Sequence, residues 1–135
     1  MGMADKILVV EDHPETRDSI TILLELAGYT VVVANDGREG LAVFSKERPD
    51  LVITDIVMPG LNGLEMIMSV RHSFSGSTRV PIIALTGYYR EFAKQMISAG
   101  ADRALSKPVD PNTLTDYVKH LLTSTSEVSS PIPRY

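Results

Sequence analysis

Short apolar runs alternate along the whole chain with longer segments whose apolar residues recur every three or four positions. Ile7-Leu8-Val9-Val10 is a strand-like run. Pro14 suits a helix first turn, and Ile20, Leu23, Leu24 and Ala27 follow at helical spacing until Gly28 stops them. Tyr29–Ala34 is β-branched and strand-like, and Asn35-Asp36-Gly37 is a turn and cap signal. The helix after it carries Leu41, Ala42 and Phe44 and closes at Pro49. Leu51–Thr54 is apolar on both alternating faces, so it belongs mid-sheet with helices above and below. Pro59 to Gly63 reads as a turn before a helix with Leu64, Ile67 and Met68 on one face. Arg71–Arg79 reads as a loop, Val80–Leu85 as a strand and Arg90–Ala99 as a helix ended by Gly100. Arg103–Ser106 is a short last strand. The final helix starts near Asp110 and carries the stripe Leu114, Tyr117, Val118, Leu121 and Leu122.

Strict alternation of five strands with five helices predicts βαβ units and a parallel α/β sheet. One domain over residues 1–122 fits a chain of 135 residues. From Thr123 the composition turns to Ser, Thr and Pro, so 123–135 is expected to be a mobile tail or linker.

Composition narrows the class of partner. With 44% hydrophobic and 22% charged residues the chain can bury a core, and a net charge of −4 with scattered basic residues disfavours nucleic acid. The absence of cysteine removes disulfides and thiolate metal sites. No apolar stretch approaches the roughly 18 residues of a membrane helix, and the first residues lack the apolar region of a signal peptide. A cytoplasmic protein with no membrane contact is the expectation.

The chemistry gathers at the strand ends. The first run ends in Glu11-Asp12, the third in Asp55, the fourth in Thr86 and the fifth in Lys107-Pro108. In a parallel sheet these ends share one edge, where ligand sites of open α/β folds form. Three carboxylates in a small site raise one another's pKa unless cations compensate, and a divalent ion plus Lys107 would match them. Oxygen ligands alone select a hard cation, Mg²⁺ before Mn²⁺ or Ca²⁺. Asp55 is then a competent nucleophile, with Thr86 and Lys107 placed to contact phosphoryl oxygens. Each residue also has a plainer reading: Glu11-Asp12 as a helix cap, Asp55 as a turn former, Thr86 as a cap, Lys107 as a solvated charge. Their joint placement carries the phosphoryl-acceptor reading.

Together these marks resemble the response-regulator receiver domain of two-component signalling, the CheY-like family, over about Lys6 to Leu122. They are Glu11-Asp12, Asp55 with Met58-Pro59 and Gly63, Ala84-Leu85-Thr86, Gly100-Ala101-Asp102 and Lys107-Pro108. The resemblance implies a flavodoxin-like (βα)5 doubly wound parallel five-stranded sheet of order 2-1-3-4-5. It implies a phosphorelay switch, not a metabolic enzyme, in which Asp55 takes a phosphoryl group from a sensor histidine kinase or a histidine phosphotransfer protein. Mg²⁺ is expected on Asp12, Asp55 and the main-chain carbonyl of Val57, with Glu11 acting through water. The Lys107-Pro108 bond is expected to be cis. A monomer or weak dimer acting on a downstream protein or effector domain completes the implied picture.

The chain departs from the family at one telling place. The aromatic ring usually found three residues before the Lys is Ala104 here. The usual coupling of Thr to that ring is therefore missing, and Tyr88, Tyr89 or the Arg103–Tyr117 face are the candidate substitutes. An apolar Val57 and a bulky Tyr88 are expected to slow hydrolysis of the acyl phosphate. Ala104 also admits a phosphate-independent scaffold. A haloacid-dehalogenase-type hydrolase would need a second Asp two residues after the nucleophile, where this chain has Val57.

Overall fold

A computed structural model describes residues 4–57, 62–73 and 79–126. The strands are β1 (Lys6–Val10), β2 (Thr30–Ala34), β3 (Leu51–Asp55), β4 (Ile82–Thr86) and β5 (Arg103–Ser106). Between and after them run α1 (Pro14–Leu26), α2 (Gly37–Glu47), α3 (Gly63–Ser73), α4 (Tyr89–Ala99) and α5 (Pro111–Ser126). All pairings are parallel and the order is β2-β1-β3-β4-β5, the flavodoxin-like arrangement. The central position of β3 follows from its composition, because every residue from Leu51 to Asp55 is buried.

Alternation along the strands divides the core into two layers. Ile7, Val9, Leu51, Ile53, Ile83 and Leu85 face α1 and α5, meeting Ile20, Leu24, Leu114, Val118, Leu121 and Leu122. Leu8, Val10, Val52, Ile82 and Ala84 point the other way, toward Phe44 of α2, Met66, Ile67 and Val70 of α3 and Met96 of α4. Helices on both faces are what a continuous apolar run in a parallel strand requires.

Several boundaries differ from expectation. In α3 the buried stripe is Met66, Ile67 and Val70, while Met68 is 51% exposed, so the expected face is rotated by part of a turn. α3 continues through Ser73 into the segment expected to be loop, and β4 begins at Ile82. α5 runs on through Ser126, past Leu122, because Thr and Ser lower helix propensity without breaking a helix. Residues 59–61 of the expected Pro59 to Gly63 turn, and the remainder of the tail, 127–135, lie outside the described residues. The stop at Gly28 does occur at a backbone φ of +101°, where a side chain would be strained.

Candidate functional site

The C-terminal ends of β1, β3, β4 and β5 meet at one edge of the sheet. There Glu11, Asp12 and Asp55 each present a carboxylate oxygen, all within 4.8 Å of one another. Glu11 and Asp55 are buried and Asp12 is exposed. Lys107 reaches in from the end of β5. Its Nζ donates to Asp55 Oδ2 at 2.9 Å and lies 2.8 Å from Glu11 Oε1, a close ionic contact out of hydrogen-bond alignment. The other Asp55 oxygen, Oδ1, accepts the Ile56 N–H at 2.7 Å. The Lys107-Pro108 peptide bond is cis, as expected.

Burial and charge act against each other here. Burial pushes the Glu11 carboxyl above its ordinary value, outweighing the Lys107 contact and the His13 N–H, and the Asp55 charge adds to the rise. For Lys107 burial works to lower the pKa, but its close contacts with Glu11 and Asp55 and their charges prevail and hold it above the ordinary value. Three carboxylates share one ammonium, so the cluster is short of positive charge. An all-oxygen, carboxylate-rich donor set with that deficit suits a hard divalent cation.

Local contacts position the acidic pair. Glu11 is not the cap of α1. His13 is, with its ring nitrogen Nδ1 accepting the Thr16 N–H at 3.4 Å. The His13 N–H donates to Glu11 Oε2 at 3.1 Å, so the cap and the acidic pair are tied together. Arg17, one turn on, donates to the Glu11 carbonyl at 3.4 Å and to the Asn35 side chain. Sequence reading overlooked that clamp, although an Arg six residues after a strand-end Glu was visible as a spacing. Gly63 is required at the start of α3: a Cβ there would lie 2.1 Å from the Asp55 carbonyl oxygen. Only glycine lets the helix approach the β3 end so closely.

Thr86 is fully buried, and its hydroxyl oxygen accepts the Tyr88 N–H at 2.9 Å. It does not cap α4, whose cap position is Tyr88. Val57 and Tyr88 are 51% and 56% exposed. Ala104 pairs in register with Ala84 and packs at the margin of the α2–α3–α4 layer. Beside the site a groove of about 600 Å³ runs along α1, lined by Ile20, Ile22, Leu23, Leu26, Pro108 and Val109 among others. No helix among the described residues is long and apolar enough to cross a membrane.

A five-stranded 2-1-3-4-5 sheet with an acidic cluster and a Lys at its carboxyl edge defines a receiver-type signalling domain. The family model of the response regulator receiver domain matches residues 7–119, and the chain belongs to that family, whose members are signalling switches of two-component systems. Protein PilH of Pseudomonas aeruginosa is 36% identical over 118 residues, covering 87% of this chain and 97% of that one. A CheY-like receiver domain from Methanospirillum hungatei superposes with a TM-score of 0.85 at 32% identity, covering 93% of this chain and 98% of that one. The receiver domain of the P. aeruginosa sensor histidine kinase PA1611, solved with magnesium in its active-site cleft, gives a TM-score of 0.82 at 28% identity and covers 90% and 100%. The chain spans about half the length of the transcriptional regulators it matches.

Proposed function

We propose that Asp55 accepts a phosphoryl group from a phosphohistidine on a sensor kinase or phosphotransfer protein, and that the phosphorylated state alters a protein-binding face. The observation that best supports this is the placement of the Asp55 carboxylate, one oxygen on the Ile56 N–H at 2.7 Å and the other on Lys107 at 2.9 Å. Both contacts hold the carboxylate in one orientation at the sheet edge, as a nucleophile requires. A carboxylate oxygen attacks phosphorus, the bond from phosphorus to the imidazole nitrogen breaks, and the nitrogen leaves with the electron pair. Lys107 then stands beside the acyl phosphate, where its charge offsets that of the phosphoryl oxygens. Glu11, Asp12, Asp55 and the Val57 main-chain carbonyl are the groups that would hold Mg²⁺, Glu11 through water. When bound, the ion supplies the positive charge that the cluster lacks. Thr86 would donate its hydroxyl proton to a phosphoryl oxygen, which accepting the Tyr88 N–H does not prevent.

Intact-protein mass after incubation with acetyl phosphate, with and without Mg²⁺, tests the reading. The expected result is a Mg²⁺-dependent gain of one phosphoryl group that Asp55→Asn abolishes. A gain that survives the substitution, or that ignores Mg²⁺, overturns it. The groove along α1 is the proposed approach for the donor protein, because Ile22 and Leu26 are exposed along it and Lys107 also lines it. Leu26→Lys is expected to slow transfer from a phosphohistidine protein and leave acetyl phosphate labelling unchanged. Equal slowing with both donors would remove the groove from the proposal.

A further inference from the structure

The acidic pair lies where two paired strands part. β1 and β2 run in register as far as Val10 and Ala34, and one step on the Glu11 N–H still donates to the Ala34 carbonyl at 3.1 Å. Past that bond the chains diverge, one into α1 and the other into α2. Arg17 closes the gap. Its Nη1 donates to the Glu11 carbonyl at 3.4 Å and to Asn35 Oδ1 on the β2–α2 link. Asn35 is held in turn from α2: its N–H donates to Glu39 Oε1 at 2.6 Å, and the Glu39 N–H returns to Asp36 Oδ1 at 2.8 Å. Both main-chain groups of Glu11 are thus anchored on the β2 side, while its side chain turns to Lys107 and the His13 N–H. Asp12 differs. It is exposed, and among the described residues no hydrogen bond or ion pair holds its carboxylate, so its aim is set by the backbone it leaves.

We infer that Arg17, anchored by Asn35, is the positioning residue that aims Asp12 and so sets how tightly the acidic cluster holds Mg²⁺. The inference rests on the reading of Glu11, Asp12 and Asp55 as a Mg²⁺ site. The Glu11 carbonyl oxygen lies in the rigid peptide plane that joins Glu11 to Asp12, so a donor on that oxygen fixes the plane from which Asp12 departs. Small rotations matter there, because Mg²⁺ demands near-ideal octahedral geometry from its ligands. Charge alone has the opposite sign. A guanidinium beside the acidic pair repels a cation, so if charge were all that Arg17 contributed, losing it would tighten Mg²⁺ binding. Positioning predicts looser binding. The groups that shift the Glu11 carboxyl are burial, Lys107, His13 and Asp55, and Arg17 is not among them, which places its hold on the main chain.

Calorimetric titration of magnesium chloride into the parent, Arg17→Gln, Asn35→Ala and Thr21→Val proteins tests this. Thr21→Val is the control for a loosened helix: it removes the bond from the Thr21 hydroxyl to the Arg17 carbonyl at 2.8 Å and leaves the clamp in place. Arg17→Gln is expected to raise the Mg²⁺ dissociation constant about tenfold, the low end of what losing a group that orients a metal ligand costs. Asn35→Ala is expected to raise it by less, and the double variant by no more than Arg17→Gln alone, because a single clamp is broken either way. Thr21→Val is expected to bind as the parent does. Urea unfolding without Mg²⁺ shows which variants are folded, and if Arg17→Gln is not, Asn35→Ala decides alone. Unchanged or tighter binding by the folded clamp variant overturns the inference, and so does equal weakening by Thr21→Val. A parent that takes up no Mg²⁺ overturns the metal-site reading and the inference with it.

Discussion

The two edges of the sheet use the same chemistry to opposite ends. At the carboxyl edge three carboxylates face one ammonium, and burial raises the pKa of Glu11. At the amino edge one carboxylate, Asp102, takes two guanidinium groups. Arg71 donates to its Oδ2 at 3.0 Å, Arg79 pairs with Oδ1, and the Ile82 N–H also reaches Oδ2 at 2.8 Å. The remaining Arg71 donors are spent on the carbonyls of Gly100 at 3.0 Å and Val80 at 2.7 Å. That edge is satisfied and joins α3, β4 and the α4–β5 turn. The carboxyl edge is left short of positive charge, a shortage that the divalent ion proposed for it would make good.

The sharpest break in this contrast is Asp55→Asn, which is expected to abolish phosphoryl gain while leaving the fold intact by circular dichroism. Next in size is the ion. Mg²⁺ at a hundredfold over its dissociation constant is expected to stabilise the protein against urea by about 3 kcal/mol. No shift in the urea midpoint would remove the metal site from the proposal. Asp102→Ala should cost about 2 kcal/mol, since it removes the partner of the half-buried Arg71 and of the Ile82 N–H while Arg79 stays solvated. Acetyl phosphate labelling should survive it, and a labelling defect in the folded variant would show that the two edges are coupled. Glu11→Gln is the smallest effect and has the opposite sign. Burial holds the Glu11 carboxyl above its ordinary 4.5, so the ionised form costs stability above the shifted value, and that cost falls away as pH drops through it. Without Mg²⁺ the variant should be slightly more stable at neutral pH, with the gain shrinking toward pH 4.5. A destabilised variant at neutral pH would show that the Lys107 contact outweighs burial.

Much of the fold was legible because it is written in short-range periodicity. Apolar runs of four or five residues bounded by Gly, Pro and Asp marked the strands, and the continuous burial of β3 followed from its lack of a polar face. The face of α3 was misjudged because Met68 is apolar yet solvent-facing, which periodicity cannot distinguish from a core position. The end of α5 was set early at a Ser/Thr shift that carries no helix breaker.

Sequence alone determined the alternation of strands and helices and the placement of Glu11, Asp12, Asp55, Thr86 and Lys107 at strand ends. Those features depend on residues a few positions apart. Tertiary structure decided what these side chains touch. Lys107 meets Asp55 across 52 residues of chain, and only the strand order and register bring them to 2.9 Å. His13 caps α1 in place of the acidic pair, Gly63 is demanded by the Asp55 carbonyl, and Thr86 is held by Tyr88. Periodicity says which way a side chain points; the neighbour it finds there is supplied by chain folded back from far away.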